Sequence, residues 1–297
     1  MLLVALPVQS QQMSSDNCGH FQVTPGKIVE LRQSTAPGLE YLLYVPKNSS
    51  SDTPVLVIVH GISRDAEEQI TLFQRYADEQ KFILLAPRFT KSHYADYQRL
   101  GRPARGGFRA DLALKQLVQE LPFNSIDRGL FLFGYSGGGQ FVHRFVMAHP
   151  ELVNSAVVAA PGWYTMPDPK AKYPYGLRVG PNLPSVSLQP DRFAHIPVLV
   201  VVGDKDTERD ENLRRSNKLD RRQGLTRVDR AQRWVAAMND TAQRHDANTG
   251  YRVALLKGVG HSYAESMRAG MGDLIFEFFR QYQLTSLNLS GEDLCVV

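Results

Sequence analysis

Val55-Leu56-Val57-Ile58-Val59 is an unbroken run of β-branched residues and leucine. A strand with no polar side has to be covered on both faces, as in a parallel sheet. Runs at 82–86, 130–133 and 198–202 share its character, and weaker versions occur at 155–160 and 251–256. Helix-period patterns fall between them. Ala66–Gln80 puts Ile70, Phe73 and Ala77 on one face, and 110–121 does so with Leu114, Leu117, Val118 and Leu121. Residues 228–244 space Ala231, Val235, Ala236, Met238, Asn239 and Ala242 as a helix allows. The alternation predicts an α/β fold, a mostly parallel sheet with helices on both faces, right-handed crossovers and Val55–Val59 near its centre. Ahead of that strand, 27–32 and 39–45 flank Ala36-Pro37-Gly38 and read as an antiparallel hairpin.

A chain of 297 residues, 43% hydrophobic, can fill one large core. We assign 21–297 to a single domain and 1–20 to a terminal segment. Met1 to Leu6 is a short apolar stretch without a basic residue ahead of it. It reads either as the remnant of a clipped signal, which would make the protein secreted or periplasmic, or as an ordinary terminus of a cytoplasmic one. Cys18 and Cys295 stand too far apart for a local metal motif; in an exported protein they could form a bridge. No apolar run approaches the roughly 18 residues of a membrane span. The net charge of +4 does not point to nucleic acid.

Two segments break the rhythm. Residues 161–197 carry many prolines together with Trp163, Tyr164, Tyr173, Tyr175 and Phe193, and read as an irregular lid or pocket wall after the sixth strand. Trp163 and Tyr164 are candidates for the substrate pocket, with packing under that wall as the other reading. Residues 206–233 are rich in arginine with acids interleaved, and we read Arg214, Arg215, Arg221 and Arg222 as a solvated, internally paired face.

The chemistry concentrates around Ser136. Gly134-Tyr135-Ser136-Gly137-Gly138 fits G-x-S-x-G directly after a buried strand, and Phe141, Val142, Phe145 and Val146 behind it mark a helix. A serine on such a turn sits in a strained conformation, hydroxyl outward, and its neighbours must be small. It becomes a nucleophile only beside a histidine, which in turn needs an acid. Later strand ends supply both: 198–202 runs into Gly203-Asp204-Lys205-Asp206, and 251–256 into a glycine-flanked His261. The backbone N–H groups of Gly137 and of Ile62, after Val59-His60-Gly61, form the natural oxyanion pair. His60 shapes that turn, His143 is a solvated or packed helix residue, and His149 ends its helix before Pro150.

With these parts the chain resembles an α/β-hydrolase over about 27–283. Tyr41-Leu42-Leu43-Tyr44-Val45-Pro46 leading to His60-Gly61 is similar to the opening of polyhydroxybutyrate depolymerase-like and feruloyl-esterase-like carboxylesterases. The resemblance implies nucleophile Ser136, acid Asp206, base His261 and oxyanion donors Ile62 and Gly137, and favours Asp206 over Asp204, which becomes a turn residue. One departure is the residue after the serine, glycine here and commonly Ala or Met in that subgroup. The expected activity is cofactor-independent, metal-free hydrolysis of a small-molecule or polymeric carboxylic ester. Alternatives are a peptidase or amidase on the same triad, or a catalytically silent binding module.

Overall fold

In the computed structural model the described residues are 23–34, 38–101, 103, 107–123, 128–180, 183 and 186–283. The possible signal, Cys18, Cys295 and Ala36-Pro37 lie outside them. Eight strands form one sheet in the order β1 (Ile28–Arg32), β2 (Glu40–Tyr44), β4 (Ile83–Arg88), β3 (Val55–Val59), β5 (Leu130–Tyr135), β6 (Val153–Ala159), β7 (Val198–Gly203), β8 (Arg252–Leu256). β1 and β2 form the antiparallel hairpin, β2 also runs antiparallel to β4, and the strands from β4 to β8 are mutually parallel. β3 lies inside the sheet with every side chain buried, as its one-character sequence requires. Burying each such side chain contributes about 1.5–3 kcal/mol.

α1 (Ala66–Gln80) and α8 (Met271–Gln283) cover one face through an aromatic layer. Phe73 packs on Phe133 and Phe276, Tyr76 stacks on Phe276 at 5.2 Å, and Phe131 meets Phe82 and Phe279. α1 starts where the Asp65 side chain accepts the Glu68 N–H, with Glu67 and Glu68 in its positive first turn. α3 (Gly137–Ala148) and α6 (Arg227–Arg244) form the other layer, joined by Tyr164 between His143 and Trp234. A reciprocal Thr226–Asp229 capping box begins α6.

The buried stripe of α6 differs from the one its small residues predict. Ala236 and Asn239 are exposed, while Trp234 and the guanidinium-bearing Arg227 and Arg230 are buried. The long charged residues turn inward because carboxylates and carbonyls await them there, which side-chain hydrophobicity does not register. Among the described residues no helix is long and apolar enough to cross a membrane.

Candidate active site

Strand β5 ends in Tyr135, and the chain turns at Ser136 before α3 begins. Ser136 has φ 54° and ψ −110°, a region L-residues avoid at a cost of about 1–3 kcal/mol. The turn is held by the Ser136 N–H donating to Ala159 O at 2.8 Å and the Gln140 N–H donating to Ser136 O at 3.1 Å. The Ser136 hydroxyl makes no cap bond to its own helix. Close approach of α3 to the sheet explains the flanking glycines: a Cβ on Gly138 would overlap Val59 O, and one on Gly134 would overlap the Gly138 carbonyl.

The serine hydroxyl meets His261 instead. His261 Nε2 lies 3.1 Å from Ser136 Oγ, and Nδ1 lies 2.7 Å from Asp206 Oδ2. With a carboxylate at Nδ1, the proton sits there and Nε2 is left to accept from the serine. The Tyr135 ring stacks on the imidazole at 5.4 Å. Asp206 is 2% exposed, whereas Asp204 is exposed and accepts the Gly258 N–H at 2.7 Å, bracing the loop that carries His261. Asp204 is thus a turn residue, and the two loops approach closely because Gly203 has no Cβ to overlap Val259 O.

A Cβ on Gly137 would stand 3.2 Å from the Ile62 nitrogen, so the two backbone N–H groups are neighbours beside Ser136. Neither N–H donates to a backbone acceptor among the described residues. The turn before Ile62 is braced from below. The Tyr97 hydroxyl donates to His60 O at 2.8 Å; His60 Nδ1–H donates to Gly61 O at 2.8 Å, and its Nε2 accepts the Phe89 N–H at 2.9 Å. Burial pulls His60 down to about 4, so it is neutral and both bonds persist at neutral pH.

Sequence reasoning missed Arg227, the residue behind the acid. Its Nη1 donates to Asp206 Oδ1 at 3.1 Å and to Asp210 Oδ2 at 2.7 Å, and Nη2 reaches Asp210 Oδ1 at 3.2 Å. Asp206 therefore has one oxygen on the histidine and the other on a buried guanidinium. Tyr97 was missed as well; both act through the fold, and no local spacing marks them.

Trp163 and Tyr164 part company. Tyr164 is fully buried and stacked on Trp234 at 5.0 Å, while its N–H and carbonyl are tied to Gln223, so it is packing. Trp163, packed on Tyr175 at 5.0 Å, has the guanidinium carbons of Arg144, Arg99 and Arg214 at 4.3, 5.6 and 5.6 Å from its ring. Arg214, Arg215, Arg221 and Arg222, read as a solvated face, are exposed, with Arg214 also over an aromatic ring; Arg227 and Arg230 in the same stretch are instead buried ion-pair partners. His143 is packed, its Nδ1–H donating to Gly139 O and its Nε2 accepting the Thr165 N–H. Among the described residues no group of three or more His, Cys, Asp and Glu side chains could hold a metal ion.

An elbow serine after the fifth strand, an acid after the seventh and a histidine after the last, on this mostly parallel sheet, define the α/β-hydrolase fold. Solved structures agree. A poly(aspartic acid) hydrolase from Sphingomonas sp. KT-1 aligns over 86% of this chain and all of its own, with TM-score 0.71 and 25% identity. A poly(3-hydroxybutyrate) depolymerase from Bordetella parapertussis aligns over 86% of this chain and 90% of its own, with TM-score 0.70 and 24% identity. An S-formylglutathione hydrolase from Agrobacterium tumefaciens has TM-score 0.54 and 13% identity, over 86% of this chain and 94% of its own. No family model and no curated protein sequence matches the chain.

Proposed function

We propose that the protein is a serine hydrolase that cleaves carboxylic esters through an acyl-enzyme on Ser136. The observation that carries this reading is the continuous hydrogen-bond chain from Ser136 Oγ through His261 to Asp206. Ser136 Oγ attacks the ester carbonyl carbon while its proton passes to His261 Nε2, and the electron pair of the carbonyl goes to oxygen. The Ile62 and Gly137 N–H groups take that oxyanion; one such donor is worth about 3–4 kcal/mol. When the carbonyl re-forms, the C–O bond to the alcohol breaks and His261 returns its proton to the leaving oxygen. Water, deprotonated by the same nitrogen, then releases the acid and restores Ser136. Asp206 keeps the imidazole in one tautomer and stabilises its protonated form.

Amide hydrolysis on the same residues is a second reading, favoured by the likeness to a hydrolase of poly(aspartic acid), a polymer with an amide backbone. The likeness to a polyester depolymerase favours the ester. Paired ester and amide substrates separate the two. The test of both is a fluorophosphonate probe: we expect stoichiometric labelling, lost in Ser136→Ala. An unlabelled wild-type protein would instead mean a silent module and end the proposal.

A further inference from the structure

Among the described residues the guanidinium of Arg144 is a buried charge without a counter-charge. It is 0% exposed; Nε donates to Thr165 Oγ1, Nη1 donates to the carbonyls of Gln98 and Gln140, and Nη2 is buried without a partner. Among the described residues no carboxylate lies within ion-pair reach of Arg144 or of Arg214, while Arg99 pairs with Asp96 at 3.6 Å. Asp168, in the same wall as Trp163, reaches Arg222 at 4.0 Å. Burial, with Arg99 nearby, lowers Arg144 to about 10, so it stays charged at neutral pH. Three guanidiniums around one indole repel each other. A buried charge left unpaired is costly, and a bound anion would offset that cost.

The cluster is tied to the helix that Ser136 opens, with Trp163 itself buried and Arg214 at its exposed edge. Gln140 is one turn along α3 from Ser136 and Arg144 two turns, roughly 6 and 12 Å at 1.5 Å per residue. Gly162, next to Trp163, has the Gln140 amide against its Cα, since a Cβ there would stand 3.5 Å from Gln140 Nε2. Arg214 is the exposed member, over both Trp163 and Tyr175 at 5.6 and 5.7 Å.

From this geometry we infer that Arg214, Arg99 and Arg144 around Trp163 form a subsite for a carboxylate on the substrate, so that the preferred ester or amide is anionic. Arg214 and the partly exposed Arg99 make the contacts, since guanidinium forks match a planar carboxylate. Arg144 supplies charge from beneath, and the Trp163 ring holds the guanidiniums in place by cation–π attraction. The inference rests on Ser136 being the nucleophile only for the position of the bond cleaved.

The test has two arms. In the first, kcat/KM is measured for mono-p-nitrophenyl esters of dicarboxylic acids from succinate to suberate, each against its neutral methyl-capped counterpart. Wild type is expected to prefer the charged ester of the longer acids by about tenfold, a preference screened by salt. Arg214→Gln should collapse that ratio, chiefly through KM. Equal kcat/KM for charged and capped esters at every length overturns the subsite while leaving the nucleophile intact. The second arm needs no turnover. Titrating adipate and adipamide into Ser136→Ala should give a saturable change in tryptophan emission with adipate alone, absent when Trp163→Phe or Arg214→Gln is added. The same response to both ligands, or none to adipate, overturns it even if the esterase reading fails.

Discussion

Arg227 and Arg144 are both buried guanidiniums on the same side of the sheet, and they differ in what surrounds them. Arg227, on α6, lies between Asp206 and Asp210, and its hydrogen bonds to them outweigh the burial that would lower its pKa. Arg144, on α3, has carbonyls, a hydroxyl and a ring, and burial prevails. The charge of the first is neutralised within the fold and fixes the acid. That of the second is left for something from outside. A buried cation is thus informative through its partners rather than through its burial.

The largest expected effect lies on the Arg227 side. Asp206→Asn should lower kcat about ten-thousand-fold with the fold retained, since the imidazole loses its tautomer. Asp204→Asn should be far milder; the reverse order, measured with one activated ester, would move the acid to Asp204.

Next comes the direct contrast. Arg227→Met leaves two carboxylates without their cation and should cost about 3–5 kcal/mol in urea unfolding. Arg144→Met strands no carboxylate and should stay within about 1.5 kcal/mol of wild type, because an apolar side chain of similar volume also removes the cost of burying the charge. Equal losses would break the distinction between them.

The smallest effect is in acid. The Arg227 hydrogen bond holds Asp210 below the usual carboxylate range. A depressed carboxyl contributes stability above that range and loses it as the pH falls through the folded value. The stability gap between wild type and Arg227→Met should therefore narrow on acidification, read as converging urea midpoints.

The sheet was legible because each strand states its burial locally. The run at 130–133 continues through Gly134 and Tyr135, where a glycine inside a strand marks the close approach of α3. Ser136, His261 and the loop holding Asp204 and Asp206 could be brought to one edge because strand ends converge there in such a sheet, while the preference for Asp206 came from the family resemblance. Arg227, Tyr97 and Arg144 could not, since their roles come mostly from partners between 17 and 46 positions away, and hydrophobic periodicity does not record them. Trp163 and Tyr164 are adjacent in sequence and both buried, yet guanidiniums surround only the first, and no window of sequence distinguishes them.

Among the described residues β8 is the last strand of the sheet, hydrogen-bonded on one side only and half open to solvent along its length. The loop it launches carries His261, whereas Ser136 hangs from a strand paired on both sides. Edge elements open locally at lower free energy than interior ones. His261 and Ser136 therefore sit in regions of unequal tenacity. Gentle heating is expected to part the two while most of the molecule is still assembled, so that their contact fails from the rim inward.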